Sequence, residues 1–266
     1  MLYATFMRQL LIGLLFISCT NLSNRNDLAA QQLSTDTTPK QLDTSIIKSY
    51  PVTAKPDIFE TAYFEGTTTQ VNDTIRLTFY SVDIGKVNLP TGKVVACDPV
   101  MSYQQEAFAT QFPMGRFPVQ LAIAKVNDNE NQLVGFSRIL FSDEPVVRWE
   151  FALKKGQQPI SIFGDSMYCY PVDGGLGQFI DESSFSKMEK LDEAAQTDIS
   201  DNLFAELDKH TIRSWQFTNT NYQGINIVAF TSGFGDGRYS TYIGYDKNGN
   251  PCRLLTDFGL VDWSDK

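Results

Sequence analysis

Short stretches in which every second residue is apolar recur through most of the chain, and that period of two commits it to β-structure. Residues 74–80 (TIRLTFY) set Ile75, Leu77 and Phe79 on one face against Arg76, Thr78 and Tyr80. At 118–126, Val119, Leu121 and Ile123 share a face, and the same rhythm returns around 133–141 and 146–153. The polar NDNEN at 127–131 reads as the turn between two such runs, so this part predicts a meander of hairpins. Further strands are expected at 159–163, 167–172, 225–231, 238–246 and 252–258, the last two joined by a tight turn at Asn248-Gly249. Strand follows strand without intervening helices, which argues against a doubly wound parallel sheet.

One helical stretch interrupts the pattern. Phe185, Met188 and Leu191, then Leu203, Phe204 and Leu207, recur at spacings of three and four. Thr197, Asp198 and Ser200 mark a break and a new helix start, which predicts two short helices. The expected fold class is α+β and β-dominated, with antiparallel sheets in a sandwich or partly open barrel and a short helical insertion around 182–210. With 42% apolar residues the chain has material for a core, and no repeat of 20–50 residues points to a propeller or solenoid.

The N-terminus carries an address. Leu10 to Ile17 read LLIGLLFI, an apolar run of eight after Arg8, too short to cross about 30 Å of hydrocarbon and suited to a signal peptide over 1–18. Ser18 before Cys19, with Phe16 and Ile17 upstream, resembles the lipobox of bacterial lipoproteins, in which the cysteine is lipidated and becomes the new N-terminus; Met7 is an alternative start. Acyl chains contribute roughly 0.8 kcal/mol per buried methylene, so the expected partner of this end is a membrane. Residues 19–50, dominated by Ser, Thr, Asn, Asp and Gln, read as a lipidated Cys19 plus a flexible tether, leaving 51–266 as a single β-rich domain. No dense acidic run follows Cys19, so the expected location is the cell envelope, on the periplasmic face of an outer membrane.

Charge and cysteine content narrow the chemistry. Lys+Arg 22 against Asp+Glu 31 leaves a net charge of −9, with no basic stripe, which excludes nucleic acid as a partner. Cys97, Cys169 and Cys252 lack C-x-x-C spacing and read as buried thiols. His210, the only histidine, is expected to end a helix, and with no G-x-S-x-G elbow the chain offers no Ser-His-Asp arrangement. Neither G-x-x-x-x-G-K-[ST] nor G-x-G-x-x-G into a helix occurs. Asp246-Lys-Asn-Gly-Asn250 has the opening of a calcium loop with Asp257 twelfth, but Pro251 stands where glycine is required, and a hairpin explains the same residues.

Four blocks remain: Gly92-Lys-Val-Val-Ala-Cys-Asp-Pro99; Pro113-Met-Gly-Arg-Phe-Pro-Val-Gln-Leu121; Tyr170-Pro-Val-Asp-Gly-Gly-Leu-Gly177 with Asp181; and Ser232-Gly-Phe-Gly-Asp-Gly-Arg-Tyr-Ser-Thr-Tyr-Ile-Gly244 with Thr256-Asp-Phe258. In order and spacing, from about residue 70 to the C-terminus, they resemble a bacterial family known as domain of unknown function 4241. Gly175-Leu176 and Phe234 depart from its pattern. The resemblance implies no reaction, cofactor or catalytic residue.

The blocks nevertheless offer candidates. In Asp173-Gly-Gly-Leu-Gly177 and Gly233-Phe-Gly-Asp-Gly237, glycine frees the backbone while aspartates sit beside amides, an arrangement that serves either a turn or a ligand site. Asp98, Asp173, Asp181 and Asp236 are the candidate carboxylates; Arg116 and Arg238 follow glycines and either clamp an anion or pair with a neighbouring aspartate. Two functions are open. One is a lipid-anchored module that binds a protein or small polar ligand without catalysis, through these loops and exposed aromatics such as Tyr239 and Tyr242. The other is a metal-assisted hydrolase using clustered aspartates. The sequence names no cofactor.

Overall fold

A computed structural model describes residues 56–100 and 105–263. The expected signal peptide, lipidated Cys19 and tether lie outside the described residues. In chain order the elements are α1 (Ile58–Thr61), β1 (Thr67–Asn72), β2 (Ile75–Leu89), β3 (Val94–Cys97), β4 (Gly115–Val126), β5 (Gln132–Leu140) and β6 (Arg148–Phe151). There follow β7 (Tyr170–Val172), β8 (Leu176–Asp181), α2 (Glu182–Glu189), α3 (Glu193–Lys209), β9 (Thr211–Ile212), β10 (Trp215–Tyr222), β11 (Ile225–Thr231), β12 (Gly237–Tyr245) and β13 (Pro251–Asp257). The larger sheet runs β1-β2-β4-β5-β13-β12-β6, with β7 also on β12, and the smaller runs β3-β8-β11-β10-β9. Every pairing described is antiparallel. This is the β-dominated α+β fold, with one sheet curled into a half-barrel.

Alternation along β2 explains how the sheets meet. Leu77 and Phe79 point to the outer face of the larger sheet, whereas Ile84 points between the two sheets. After the bulge at Asp83–Lys86, the odd-numbered Val87 and Leu89 also point between the sheets. An inserted residue reverses strand parity, so one strand serves two cores. Gly85 makes the bulge possible: its φ is +93°, and a Cβ there would meet Asn219 Nδ2 at 2.7 Å. That amide donates to the carbonyl of Ile84 at 3.0 Å and stitches the sheets together.

Three apolar layers result. Val119, Leu121, Ile123, Phe179, Phe230 and Leu254 fill the space between the sheets. Val95, Ile180, Phe185, Leu203, Leu207 and Ala229 seal α2 and α3 onto the smaller sheet. On the outer face of the larger sheet, Phe59 and Ala62 from the α1 segment join Phe136, Trp149 and Leu260. That outer layer also holds polar groups. The Arg138 guanidinium lies 3.6 Å over the Tyr63 ring, while Glu60 stands 3.4 Å from both Arg138 Nη1 and Arg253 Nε. Burial pushes the Arg138 pKa down and the Tyr63 phenol up.

Several expectations need correction. Residues 159–163 form no strand; Ile160 and Ile162 still pack on the outer layer, so their alternation reports burial rather than a ladder. At 167–172 only Tyr170–Val172 pair. The helical break falls earlier than Thr197: Asp192 caps α3 by accepting from the Ala195 amide at 2.9 Å, and Thr197 bonds back to the Glu193 carbonyl at 2.8 Å within the helix. The loop at 246–250 is longer than a two-residue turn. Asp246 and Asn250 close it, the Asp246 carboxylate accepts from the amides of Asn248 and Asn250 at 2.8 Å, and Gly249 takes φ +81°. Cys97 and Cys252 are buried and Cys169 is half-buried, none of them in a disulfide. His210 follows α3 as expected, its Nδ1 3.0 Å from the Glu206 carbonyl.

The chain after β13 folds back over the outer layer, and Asp257 fixes it by accepting from Trp263 Nε1 at 2.7 Å and the Gly259 amide at 2.8 Å. Burial outweighs these bonds and pushes the carboxyl up to about 6. The folded state therefore holds this proton more tightly than the unfolded chain, whose aspartates titrate near roughly 3.9. The resulting stabilisation is complete below about pH 4 and is lost as pH rises through 6. Wild type should lose about 2 kcal/mol relative to Asp257→Asn between those limits, read from urea unfolding at each pH. Parallel pH profiles for the two proteins would refute this.

Candidate functional site

The two glycine–aspartate loops, 60 residues apart in sequence, lie side by side because β7 pairs with β12. Gly237 faces Val172 and Arg238 faces Pro171 across that ladder, so Asp173 and Asp236 occupy the next positions outward. The Ser232 amide donates to the Gly175 carbonyl at 3.0 Å, and a Cβ on Gly175 would stand 3.7 Å from the Cα of Gly235. Three of the glycines have left-handed φ: Gly175 at +64°, Gly233 at +43° and Gly235 at +105°. At Gly233 a side chain would also collide with the Phe258 carbonyl at 2.8 Å. The Tyr239 hydroxyl donates to the Gly235 carbonyl at 2.7 Å, and the Ser232 hydroxyl donates to the same oxygen at 3.0 Å.

Asp98 holds the arrangement from beneath. It is almost fully buried at the end of β3; one carboxylate oxygen accepts from the Val100 amide at 2.8 Å and the other from the amides of Asp173 and Gly174 at 2.9 and 2.7 Å. Asp181 is likewise a structural anchor. As N-cap of α2 it accepts from the Ser183 amide and hydroxyl at 2.9 and 2.6 Å, and its second oxygen accepts from the Thr91 amide and hydroxyl at 3.1 and 2.8 Å.

Of the six candidate ligand-binding residues, the fold therefore gathers Asp98, Asp173, Asp236 and Arg238. Asp181 pairs with Val94, four strand residues from the rung beside Asp98, or roughly 13 Å at about 3.3 Å per residue. Arg116 is exposed on β4 opposite Asn88, whose amide donates to Asn226 at the start of β11, whereas the loops lie beyond that strand's other end. Asp173, Asp236 and Arg238 are exposed. Among the described residues no three His, Cys, Asp or Glu side chains are grouped to hold a metal ion.

The aromatic expectation needs reversal. Tyr239 and Tyr242 are buried, because β12 lies in a sheet covered on both faces; burial raises both phenols. The exposed ring is Phe234, at 78% the most exposed large apolar residue described. Its signal was present in the Gly-Phe-Gly run, where no strand period could bury it.

Fold and site together define a two-sheet antiparallel domain whose rim carries a pinned pair of glycine–aspartate loops with an aromatic at the tip. The sequence model of a family described as Protein of unknown function (DUF4241) matches residues 87–256, more than half of the chain, and includes every part of this rim. The chain belongs to that family. No curated protein and no solved structure matches it significantly.

Proposed function

We propose that this chain is a lipid-anchored cell-envelope protein whose β domain binds a protein partner through the paired loops. The observation that carries the reading is Phe234, which stays in solvent on loops held by interlocking hydrogen bonds. A pre-ordered aromatic flanked by Asp173, Asp236 and Arg238 suits a protein interface, where such residues concentrate binding energy and little ordering cost is added. The buried carboxylates Asp98 and Asp181 spend their oxygens on amides and hydroxyls. That leaves the adjacency of Asp173 and Asp236 as the feature favouring the second reading, a metal-assisted hydrolase.

The N-terminal part of the proposal rests on Ser18-Cys19 after an apolar run. Labelled palmitate should enter the wild-type chain and be lost in Cys19→Ala. A photo-crosslinking residue at position 234 should then give one discrete protein adduct in the envelope, and the same residue at exposed Met167 should not. Absence of an adduct at 234 would refute loop docking. A divalent-cation rise in unfolding temperature that disappears in both Asp173→Ala and Asp236→Ala would favour the hydrolase instead.

A further inference from the structure

A cleft of about 290 Å³ opens between α2, α3 and the smaller sheet. Its apolar wall is made by Val100, Met188, Ile199, Leu203 and Ile227. Within this wall stands Gln178, only 1% exposed, between Leu176 and Ile180 on the helix-facing side of β8. On the neighbouring strands it is flanked by Cys97 and Ala229. Thr218 on β10 continues that row, and the Gln178 carboxamide is its bulkiest polar group, so it requires an explanation.

Its amide donates one hydrogen bond, to Cys97 Sγ at 3.2 Å. Sulfur is a weak acceptor, and burying an amide that is not fully hydrogen-bonded costs free energy. Among the described residues no donor is paired with the Gln178 carbonyl oxygen, so an acceptor is held at the wall of a cleft that Glu189, Gln196 and Ser200 also line. The volume is roughly twice that of an engineered cavity of about 150 Å³ that takes up benzene. Charge restricts the occupant further. Among the described residues lining the cleft Glu189 is the only charged one, so no lysine or arginine there neutralises an anionic head.

We propose that this cleft binds a small neutral molecule with an aliphatic body and a hydrogen-bond-donating head, the head meeting the Gln178 carboxamide and the body lying against Met188, Ile199, Leu203 and Ile227. A fatty acid carboxylate is disfavoured by the missing counter-charge and by Glu189. None of Asp173, Phe234, Asp236 and Arg238 lines the cleft, so the proposal does not depend on the docking of Phe234.

Hexanamide, with sodium hexanoate as its charged counterpart, tests it in the full-length chain at neutral pH. Hexanamide should raise the unfolding temperature saturably, and hexanoate should bind at least about tenfold more weakly. Gln178→Leu should weaken hexanamide about tenfold by removing the acceptor. Ser200→Phe, at a half-buried position lining the cleft, should abolish the effect without disturbing the core, while Phe234→Ser should leave it unchanged. No saturable shift, a shift that survives both Gln178→Leu and Ser200→Phe, or hexanoate binding as tightly as hexanamide would each overturn the proposal.

Discussion

Asp98→Ala should lower the free energy of unfolding by about 4 kcal/mol. Three backbone amides depend on that carboxylate, those of Val100, Asp173 and Gly174. Hydrogen bonds to a charged group are worth roughly 1.5–3 kcal/mol each, and water can replace part of that where the loop is open. Asp98→Asn keeps one acceptor oxygen and should fall between the two. Urea unfolding gives the magnitude, and hydrogen exchange at Asp173 and Gly174 should accelerate in step. A loss below about 0.5 kcal/mol would mean that the loops hold themselves and that Asp98 contributes little.

Phe59→Ala should have an effect of similar size, about 4 kcal/mol, for a different reason. Phe59 is fully buried although its helix has only four residues and its N-cap Asp57 makes no side-chain cap bond. So short a helix has no stability of its own. It is held by what surrounds the ring: Trp263 at 4.9 Å, Tyr242 at 5.0 Å, Trp149 at 5.2 Å and Phe136 at 5.8 Å between centroids. Removing it opens a cavity at the point where the segments before β1 and after β13 meet. Phe59→Leu, which refills most of the volume, should recover more than half of the loss. Unfolding midpoints unchanged by either substitution would place the outer layer outside the cooperative unit.

The strands most legible in the sequence are those rich in β-branched and large apolar residues. INIVAFT at 225–231 coincides with β11, and Val119, Leu121 and Ile123 do share the face between the sheets. Less legible are strands whose surroundings replace the alternation. Leu176–Asp181 is buried at every position, so β8 shows no period of two and passes for the end of a glycine-rich loop. In β10 the run TNTNY is polar, so no apolar alternation marks the strand that pairs with β11 across the Gln223-Gly224 turn, whose φ values are +50° and +77°. The Glu60, Arg138 and Arg253 group leaves no local mark in the sequence, because its members are far apart in the chain and their burial depends on the chain returning over the outer face.

Candidate residues followed a similar rule. Glycine and aspartate marked where the backbone turns, and the fold does bring Asp173 and Asp236 to adjacent positions. What composition could not convey was division of labour. Asp98 and Asp181 belong to the same vocabulary but sit under the chain as anchors, a distinction made only by which amides point at them.

Asp98 also ties two regions of the surface into one mechanical unit. The turn it closes supplies Val100, which lines the cleft and lies so near the first loop that a Cβ on Gly174 would touch Val100 Cγ2 at 2.8 Å. An occupant that displaces Val100 must therefore strain or relax the loop bearing Asp173. Any such coupling obeys thermodynamic reciprocity: whatever factor an occupied cleft imposes on affinity at the rim, engagement of the rim imposes in return on the cleft.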